Sequence, residues 1–152
     1  MANPLHSWKQ QGAVRLWRYT EFKQKFRGWH LTADDAGVAS LLALMPLLAE
    51  APGEHRSVAV TPPTAAVLRV PNYSQGLAQW TAPAKWNIRA SSALDTWLFP
   101  ASDPADLTFG AGHLTQLTAA LQGIPRGEGD FCVGNPEYGS LPLWFWWHPH
   151  AA

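Results

Sequence analysis

Three observations predict that this chain is an α+β domain. It has 152 residues, of which 47% are hydrophobic and only 14% charged, enough apolar material for one core. Thirteen prolines and twelve glycines are spread throughout, so its elements should be short. Helical and strand-like stretches do not alternate strictly. We therefore expect a single compact domain over residues 1–152. A mostly antiparallel or mixed sheet of about five to seven short strands should pack with two main helices.

The chain should open with a strand over residues 13–19, where apolar and basic residues mix. Residues 20–27 fit two structures, because their aromatic residues recur at helical spacing while their cations alternate as in a strand. We favour a short helix that Gly28 ends. Residues 1–10 and 148–152 lie at the ends of the chain and are expected to be poorly ordered tails.

The clearest helical pattern begins near Leu31. Thr32 followed by Asp35 resembles a capping box, which predicts that Thr32 caps the helix. Pro46 should kink the helix or tighten its last turn, and Pro52–Gly53 should stop it. One apolar stripe should face the core; it consists of Val38, Leu41, Leu42, Met45, Leu48 and Ala49.

The middle of the chain predicts several short elements. Residues 57–61 read as a strand, and two structures remain open after it. Either Thr61 caps a short helix that opens with proline, or the prolines join this strand to another over residues 66–70. Further short strands are predicted over residues 79–80, 85–90 and 96–99. Asp103 and Asp106 lie near a proline, and we interpret them as residues of a turn.

The last third should contain the second main helix, over residues 111–122. Its apolar leucines lie on one face, and Gly123 is placed as its C-terminal cap. Residues 127–130 predict a turn. Residues 130–134 and 141–147 then predict two paired strands.

The charges are balanced, with eleven basic and eleven acidic residues, so no overall charge favours nucleic acid or an anionic membrane. They are unevenly spread, because residues 56–90 hold four cations and no acid while residues 91–152 hold six acids and one cation. Oppositely charged segments of this kind either complement one another in the fold or are surface charges sorted by chance. The N-terminus lacks a secretory signal pattern, and residues 38–49 are too short to span a bilayer, which predicts a cytoplasmic protein.

Catalytic and metal-binding patterns are weak in this sequence. No serine lies in a nucleophile-elbow pattern, and the histidines show no helical i, i+4 pair, so we expect no catalytic residue, metal or cofactor. Cys132, the single cysteine, is expected to be a buried apolar residue of a strand. If the domain has an aromatic ligand pocket, its polar groups would be His113, Glu128 and Asp130.

Nine tryptophans are the most unusual feature of the chain. Buried indoles fill cores, and exposed ones are enriched at interfaces. On a strand, Trp144 and Trp146 would face one way and Leu143, Phe145 and Trp147 the other. That strand is either buried on both sides or has one face free for a partner. The candidate binding residues are Trp144, Trp146, Trp147, Trp80, Trp86, Lys85 and Arg89.

Three functions follow from these residues. A short, motif-free, tryptophan-rich domain is similar in layout to small bacterial immunity-type or accessory proteins, which implies a non-catalytic domain that binds a protein partner. A small-molecule-binding protein or enzyme with an aromatic pocket is the first alternative. The second is weak single-stranded nucleic-acid binding, because Trp80 and Trp86 lie near Lys85 and Arg89 in the sequence. This second alternative is disfavoured, since four cations over residues 56–90 form no basic stripe.

Overall fold

The computed structural model of the chain describes residues 4–20, 27–72, 79–134 and 139–149. Helices and strands mix in these residues, which confirms the α+β class. The described helices are α1 (Pro4–Ser7), α2 (Asp35–Ala49), α3 (Ala65–Asn72) and α4 (Leu114–Gly123). The described strands are β1 (Val14–Tyr19), β2 (Trp29–Ala33), β3 (His55–Ala59), β4 (Trp80–Thr81), β5 (Lys85–Ser91), β6 (Trp97–Leu98), β7 (Ala105–Gly110), β8 (Phe131–Val133) and β9 (Leu143–Phe145).

The strands form two mixed sheets rather than one. Sheet A has five strands in the order β4-β1-β2-β9-β8, and sheet B has four in the order β3-β5-β7-β6. Each sheet holds one parallel pair, β2 with β9 and β5 with β7, and its other pairs are antiparallel. Both parallel pairs join strands that are far apart in the chain, so the sheet order depends on long-range contacts.

Backbone hydrogen bonds join the two sheets at two places. Thr61 N–H donates to the Val14 carbonyl at 2.8 Å, which links the end of β3 to the start of β1. On the other side, Leu141 N–H donates to the Phe99 carbonyl at 2.9 Å. The sheets therefore enclose one main core together with α2 and α4.

A stack of three aromatic rings lies in that core. Phe99 packs between Trp29 of sheet A and Trp86 of sheet B, with ring centroids 5.0 and 6.1 Å away. Trp97 approaches the Phe99 ring edge-on at 6.2 Å. Offset stacks and edge-on contacts are favourable aromatic geometries. The stack consequently couples the packing of the two sheets.

The first main helix starts later than its sequence pattern predicts. The predicted Thr32 cap is wrong, because Thr32 lies inside β2 and is fully buried. Asp34 caps α2 instead, where one of its carboxylate oxygens accepts from Gly37 N–H at 2.8 Å. Pro46 lies within the last turn without ending the helix. The stripe faces the core as predicted, except that Leu44 is fully buried while Leu42 and Ala49 are only half-buried.

The segment after β3 forms a helix, which decides between the two open predictions. The prolines precede α3, and the cap is Thr64, not Thr61, because Thr64 Oγ1 accepts from Val67 N–H at 3.2 Å. A helix after the prolines needs no bond from their missing N–H groups.

β7 was missed by the sequence analysis. The turn expected near Asp106 is wrong, because this residue lies in β7, a strand with neighbours on both sides in sheet B. Its inward residues, Ala105, Leu107 and Phe109, are fully buried and alternate with polar ones. The alternation of buried and polar residues in β7 is short and lies between Pro104 and Gly110, so the segment resembles a loop.

The second main helix agrees with its prediction except at its end. Gly123 remains helical, and Gly127, with a left-handed φ of 78°, ends the following 3-10 turn. β8 and β9 pair antiparallel, as the sequence predicts, but each is only three residues long.

Two predicted segments differ from, or lie outside, the described structure. Residues 4–10 were expected to belong to a loose tail, yet Leu5 in α1 is fully buried and Trp8 Nε1 donates to the Ser40 carbonyl at 2.9 Å. Burial of these apolar side chains holds the segment against α2. The helix predicted over residues 20–27 falls almost entirely on residues 21–26, which lie outside the described residues.

Candidate functional site

The nine tryptophans divide by exposure. Trp80 and Trp147 are exposed by 39% and 38%, and Trp144 is half-buried. The remaining six are buried: Trp8, Trp17, Trp29, Trp86, Trp97 and Trp146. Most of the tryptophan excess therefore belongs to the core, as the sequence analysis expected of any single indole.

The strand of clustered tryptophans near the C-terminus is covered on both faces. Leu143 and Phe145 enter the main core, while Trp144 and Trp146 lie on the opposite face of sheet A, which confirms the predicted alternation. Trp146 Nε1 donates to His30 Nδ1 at 2.9 Å, and the two rings stack. His30 is fully buried beneath Trp17 and Trp146. Trp146 is therefore part of a second, smaller core, and the prediction that it contacts a partner is corrected.

α3 covers this second core. Val67 and Leu68 of α3 pack against Trp17 and Trp146, and the Tyr19 hydroxyl donates to the Leu68 carbonyl at 3.1 Å. Burial raises the pKa of Tyr19 to about 12. The nearby Trp17 indole lowers the pKa of Tyr19, but Trp17 Nε1 has no aligned acceptor among the described residues. Loss of solvent on burial therefore has the larger effect, and the pKa rises.

The group of Trp80, Trp86, Lys85 and Arg89 is not a single site. Trp86 is fully buried in the core, so its ring cannot stack on a base, whereas Lys85 and Arg89 point outward from the same strand. Trp80 belongs to the other sheet, opposite Tyr19. The predicted group of four is thus not one surface, because Trp86 offers no exposed ring beside the two cations.

Two exposed aromatic residues lie along the far edge of sheet A. Phe131 is 44% exposed and pairs with Phe145 across β8 and β9. A Cβ on Gly129 would lie only 2.7 Å from Cε3 of Trp147, so the indole lies directly against the glycine. Trp147 thus lies two residues beyond Phe145, the residue that pairs with Phe131, and Gly129 lies two residues before Phe131. We call Phe131, Gly129 and Trp147 the edge patch.

A groove lies on each side of the edge patch. One, of ≈ 370 Å³, runs from Phe131 to α4 and is lined by Ala119, Ala120, Gln122, Arg126, Glu128 and Phe145. The other, of ≈ 620 Å³, runs from Trp147 to the start of α2 and is lined by Asp34, Asp35, Ile124, Pro125, His148 and Pro149. Both open to solvent. The shape is that of an exposed apolar ridge between two shallow grooves, not of an enclosed cavity.

The backbone of β8 offers little for strand addition. Pro142 and Trp146 bond to β2, so by alternation Leu143 and Phe145 bond to β8. This leaves one β8 residue, Cys132, with its N–H and C=O pointing away from the sheet. Asp130 and Gly134 flank the strand with φ of 59° and 103°. A partner strand would find only about two backbone bonds there, so binding at this edge must depend on side chains.

Cys132 is exposed, which corrects the expectation that it is buried. It lies at the sheet edge, and edge position cannot be read from the local pattern. Partial burial, and then the charge of Asp130, raise the pKa of its thiol. A raised pKa reduces the thiolate fraction at neutral pH and makes the thiol a poor nucleophile.

The polar residues suggested for an aromatic pocket are not together. His113 lies before α4, where its ring contacts Trp97 edge-on at 5.3 Å. Glu128 and Asp130 follow the other end of that helix, about 15 Å away along its axis. Of these three, only Glu128 lines a described groove. The described residues therefore assemble no acid–base pair from them.

Similarity to known proteins adds no identification. No protein-family model, curated protein or solved structure matches this chain. Within the described ranges, no helix is both long and apolar enough to cross a bilayer. The same residues hold no group of three or more His, Cys, Asp or Glu side chains placed to bind a metal ion.

Proposed function

We propose that this chain is a non-catalytic binding domain that engages a protein partner through the edge patch. The observation that carries the proposal is that two exposed aromatic side chains lie along one sheet edge, Phe131 at the start of β8 and Trp147 against Gly129 just before it. Exposed apolar patches flanked by polar residues commonly mark interaction sites. The proposal includes the bacterial, cytoplasmic, immunity- or accessory-type setting expected from the sequence.

The geometry of the patch supports a macromolecular partner. The Trp147 ring lies against Gly129, and Phe131 lies opposite the buried Phe145 in the β8–β9 pair. Rigid aromatic side chains lose little conformational entropy on binding, which is why they dominate interface energetics. The two grooves beside them can accept side chains of a partner.

The test replaces both exposed rings and asks whether a partner is lost. Phe131→Ser with Trp147→Ser should reduce retention of the specific partner from a source-cell extract by about tenfold or more. Leu94→Ser with Leu98→Ser is the matched control, because these leucines are 65% and 53% exposed elsewhere. Retained proteins are quantified by mass spectrometry against each immobilised variant.

Fold integrity is checked by far-ultraviolet circular dichroism and thermal melting. Both double variants should keep the spectrum of the unchanged chain, since the replaced side chains are exposed. A protein held equally by the unchanged chain and by the Phe131→Ser, Trp147→Ser variant does not use the patch. If no protein distinguishes these two chains, the proposal is wrong.

A further inference from the structure

The edge patch is surrounded mainly by negative charge. Asp34 and Asp35 line the groove beside Trp147, and Glu128 lines the groove beside Phe131. Asp130 precedes Phe131, and its charge reaches the thiol on β8. The positively charged side chain in the described lining of these grooves is Arg126, while His148 contributes an imidazole.

Three of these carboxylates are available to a partner. Asp34 accepts hydrogen bonds from Gly37 N–H and Ala13 N–H, so it is occupied in capping α2. Asp35, Glu128 and Asp130 are exposed and form no ion pair in the described part of the chain. An unpaired surface carboxylate keeps its charge for an approaching cation.

Resting on the proposed function, we propose that the partner segment bound by the edge patch is cationic, with arginine or lysine between apolar residues. Trp147 supplies the ring that attracts such a cation. Asp35 lines the groove beside this ring, Glu128 lines the groove beside Phe131, and Asp130 precedes Phe131 in the chain. Apolar residues of the same segment contact Phe131. The aromatic ridge provides affinity, and the charges select the partner and speed association.

The same charges argue against two other occupants. A second copy of this chain would bring its own carboxylates against these, which is unfavourable. Nucleic acid would be repelled for the same reason, because its backbone is anionic. A cationic protein segment is the occupant that satisfies both the exposed rings and the exposed carboxylates.

Synthetic peptides provide the probe. One twelve-residue peptide contains four arginines and four leucines separated by glycines. A second peptide has the same sequence with glutamate in place of every arginine. Binding to the full chain is measured by isothermal titration calorimetry at low and high salt. The arginine peptide should bind and should weaken at least about tenfold between 0.05 and 0.5 M salt. The glutamate peptide should not bind measurably.

Charge-neutralised variants locate the effect. Asp35→Asn with Glu128→Gln and Asp130→Asn should weaken the arginine peptide about fivefold or more. Asparagine suits the left-handed backbone at residue 130. The matched control neutralises three acids away from the patch, by Glu50→Gln, Asp95→Asn and Asp103→Asn, and should bind like the unchanged chain.

The outcomes separate this inference from the proposed function. The inference of a cationic partner is wrong if the arginine peptide does not bind at about 1 mM. It is also wrong if both peptides bind equally, or if both triple variants bind the arginine peptide equally. In that case, loss of the specific partner in the Phe131→Ser, Trp147→Ser variant would still support the edge patch as a binding site. If this variant also retains the partner, both the cationic-partner inference and the proposed function are wrong.

Discussion

Most buried indole N–H groups in this chain have an acceptor, which explains how one domain accommodates so many tryptophans. A buried N–H without a partner costs about 1–3 kcal/mol, so acceptors largely decide whether an indole can be buried. The acceptors among described residues are the carbonyls of Ser40, Pro100 and Leu141 for Trp8, Trp29 and Trp97, and His30 Nδ1 for Trp146. Trp17 and Trp86 lack such an acceptor in the described part of the chain.

Tyr19 predicts how the stability of the domain responds to alkali. Its pKa rises to about 12 on folding, so the folded chain keeps a proton that the unfolded chain loses near pH 10. Stability should therefore fall as the pH rises from about 10 to 12. Tyr19→Phe should remove this part of the pH dependence, which urea unfolding at about pH 8 and pH 11.5 would measure.

The neutral-pH measurement is the internal control for that prediction. At about pH 8 Tyr19 is protonated in both states, so Tyr19→Phe should cost only the hydrogen bond to the Leu68 carbonyl, about 1 kcal/mol. At about pH 11.5 Tyr19→Phe should be as stable as the unchanged chain or more stable, because ionisation of Tyr19 in the unfolded state then outweighs the hydrogen bond. A difference that stays constant across this range would contradict the assigned burial effect.

Strand β9 shows how a strand can be predicted correctly while the environment of its two faces is not. The alternation of Trp144 and Trp146 against Leu143 and Phe145 follows from the pleat alone. Whether the tryptophan face is covered depends on α3 packing over it, and α3 is distant in the chain. The local pattern therefore favoured a strand buried on both sides but left a free tryptophan face open.

Trp146 gives the clearest test of this second core. Trp146→Ala should lower the free energy of unfolding by about 3–5 kcal/mol, because the side chain is buried. Trp146→Phe should cost about 1–3 kcal/mol, mainly through the lost bond to His30 Nδ1. Trp147→Ala is the matched control and should cost clearly less than Trp146→Ala, since 38% of that indole is exposed and only 3% of Trp146 is. Equal losses at 146 and 147, measured by urea unfolding, would contradict the assignment.

The charge segments found in the sequence pair only sparingly in the fold. His6 lies 3.2 Å from Glu54, and Arg89 of the acid-free segment 56–90 lies 4.0 Å from Asp106 of the acidic segment 91–152. Both pairs are solvent-exposed, so each contributes about 1 kcal/mol or less. The segmental charge pattern therefore shapes surface potential more than stability, and its acidic last segment surrounds the edge patch.

The molecule as a whole leaves few strand edges open to uncontrolled pairing. β4, β6 and β8 have only two, two and three residues. The longer edge strand β3 is protected by Gln10, whose side-chain amide donates to and accepts from the backbone of Ala59 at 2.9 and 2.8 Å. Short or covered edges resist edge-to-edge aggregation. Recognition through side chains is thus favoured over strand addition.

Cohesion between the sheets depends on the aromatic stack, which Phe99 tests. Phe99→Ala should destabilise the chain by about 3–5 kcal/mol, because the residue is fully buried between Trp29 and Trp86. Phe131→Ala removes the same side chain from an exposed position and should cost less than about 1 kcal/mol. Chemical unfolding of both variants provides the comparison. A mild effect at residue 99 would show that the sheets do not depend on this stack.

Local interactions were sufficient for the α+β class, for α2 and α4, and for the pairing of β8 with β9. Apolar periodicity and Gly or Pro punctuation act over a few residues, so the sequence by itself determined these elements. It did not determine the Asp34 cap, because the buried strand β2 contains a pattern that resembles a capping box. It did not determine β7 either, because this buried strand resembles a loop. Which tryptophans are exposed was decided only by the tertiary structure. Trp146 and Trp147 are chain neighbours, yet one packs under α3 and the other borders solvent, because burial depends on which distant elements cover each face.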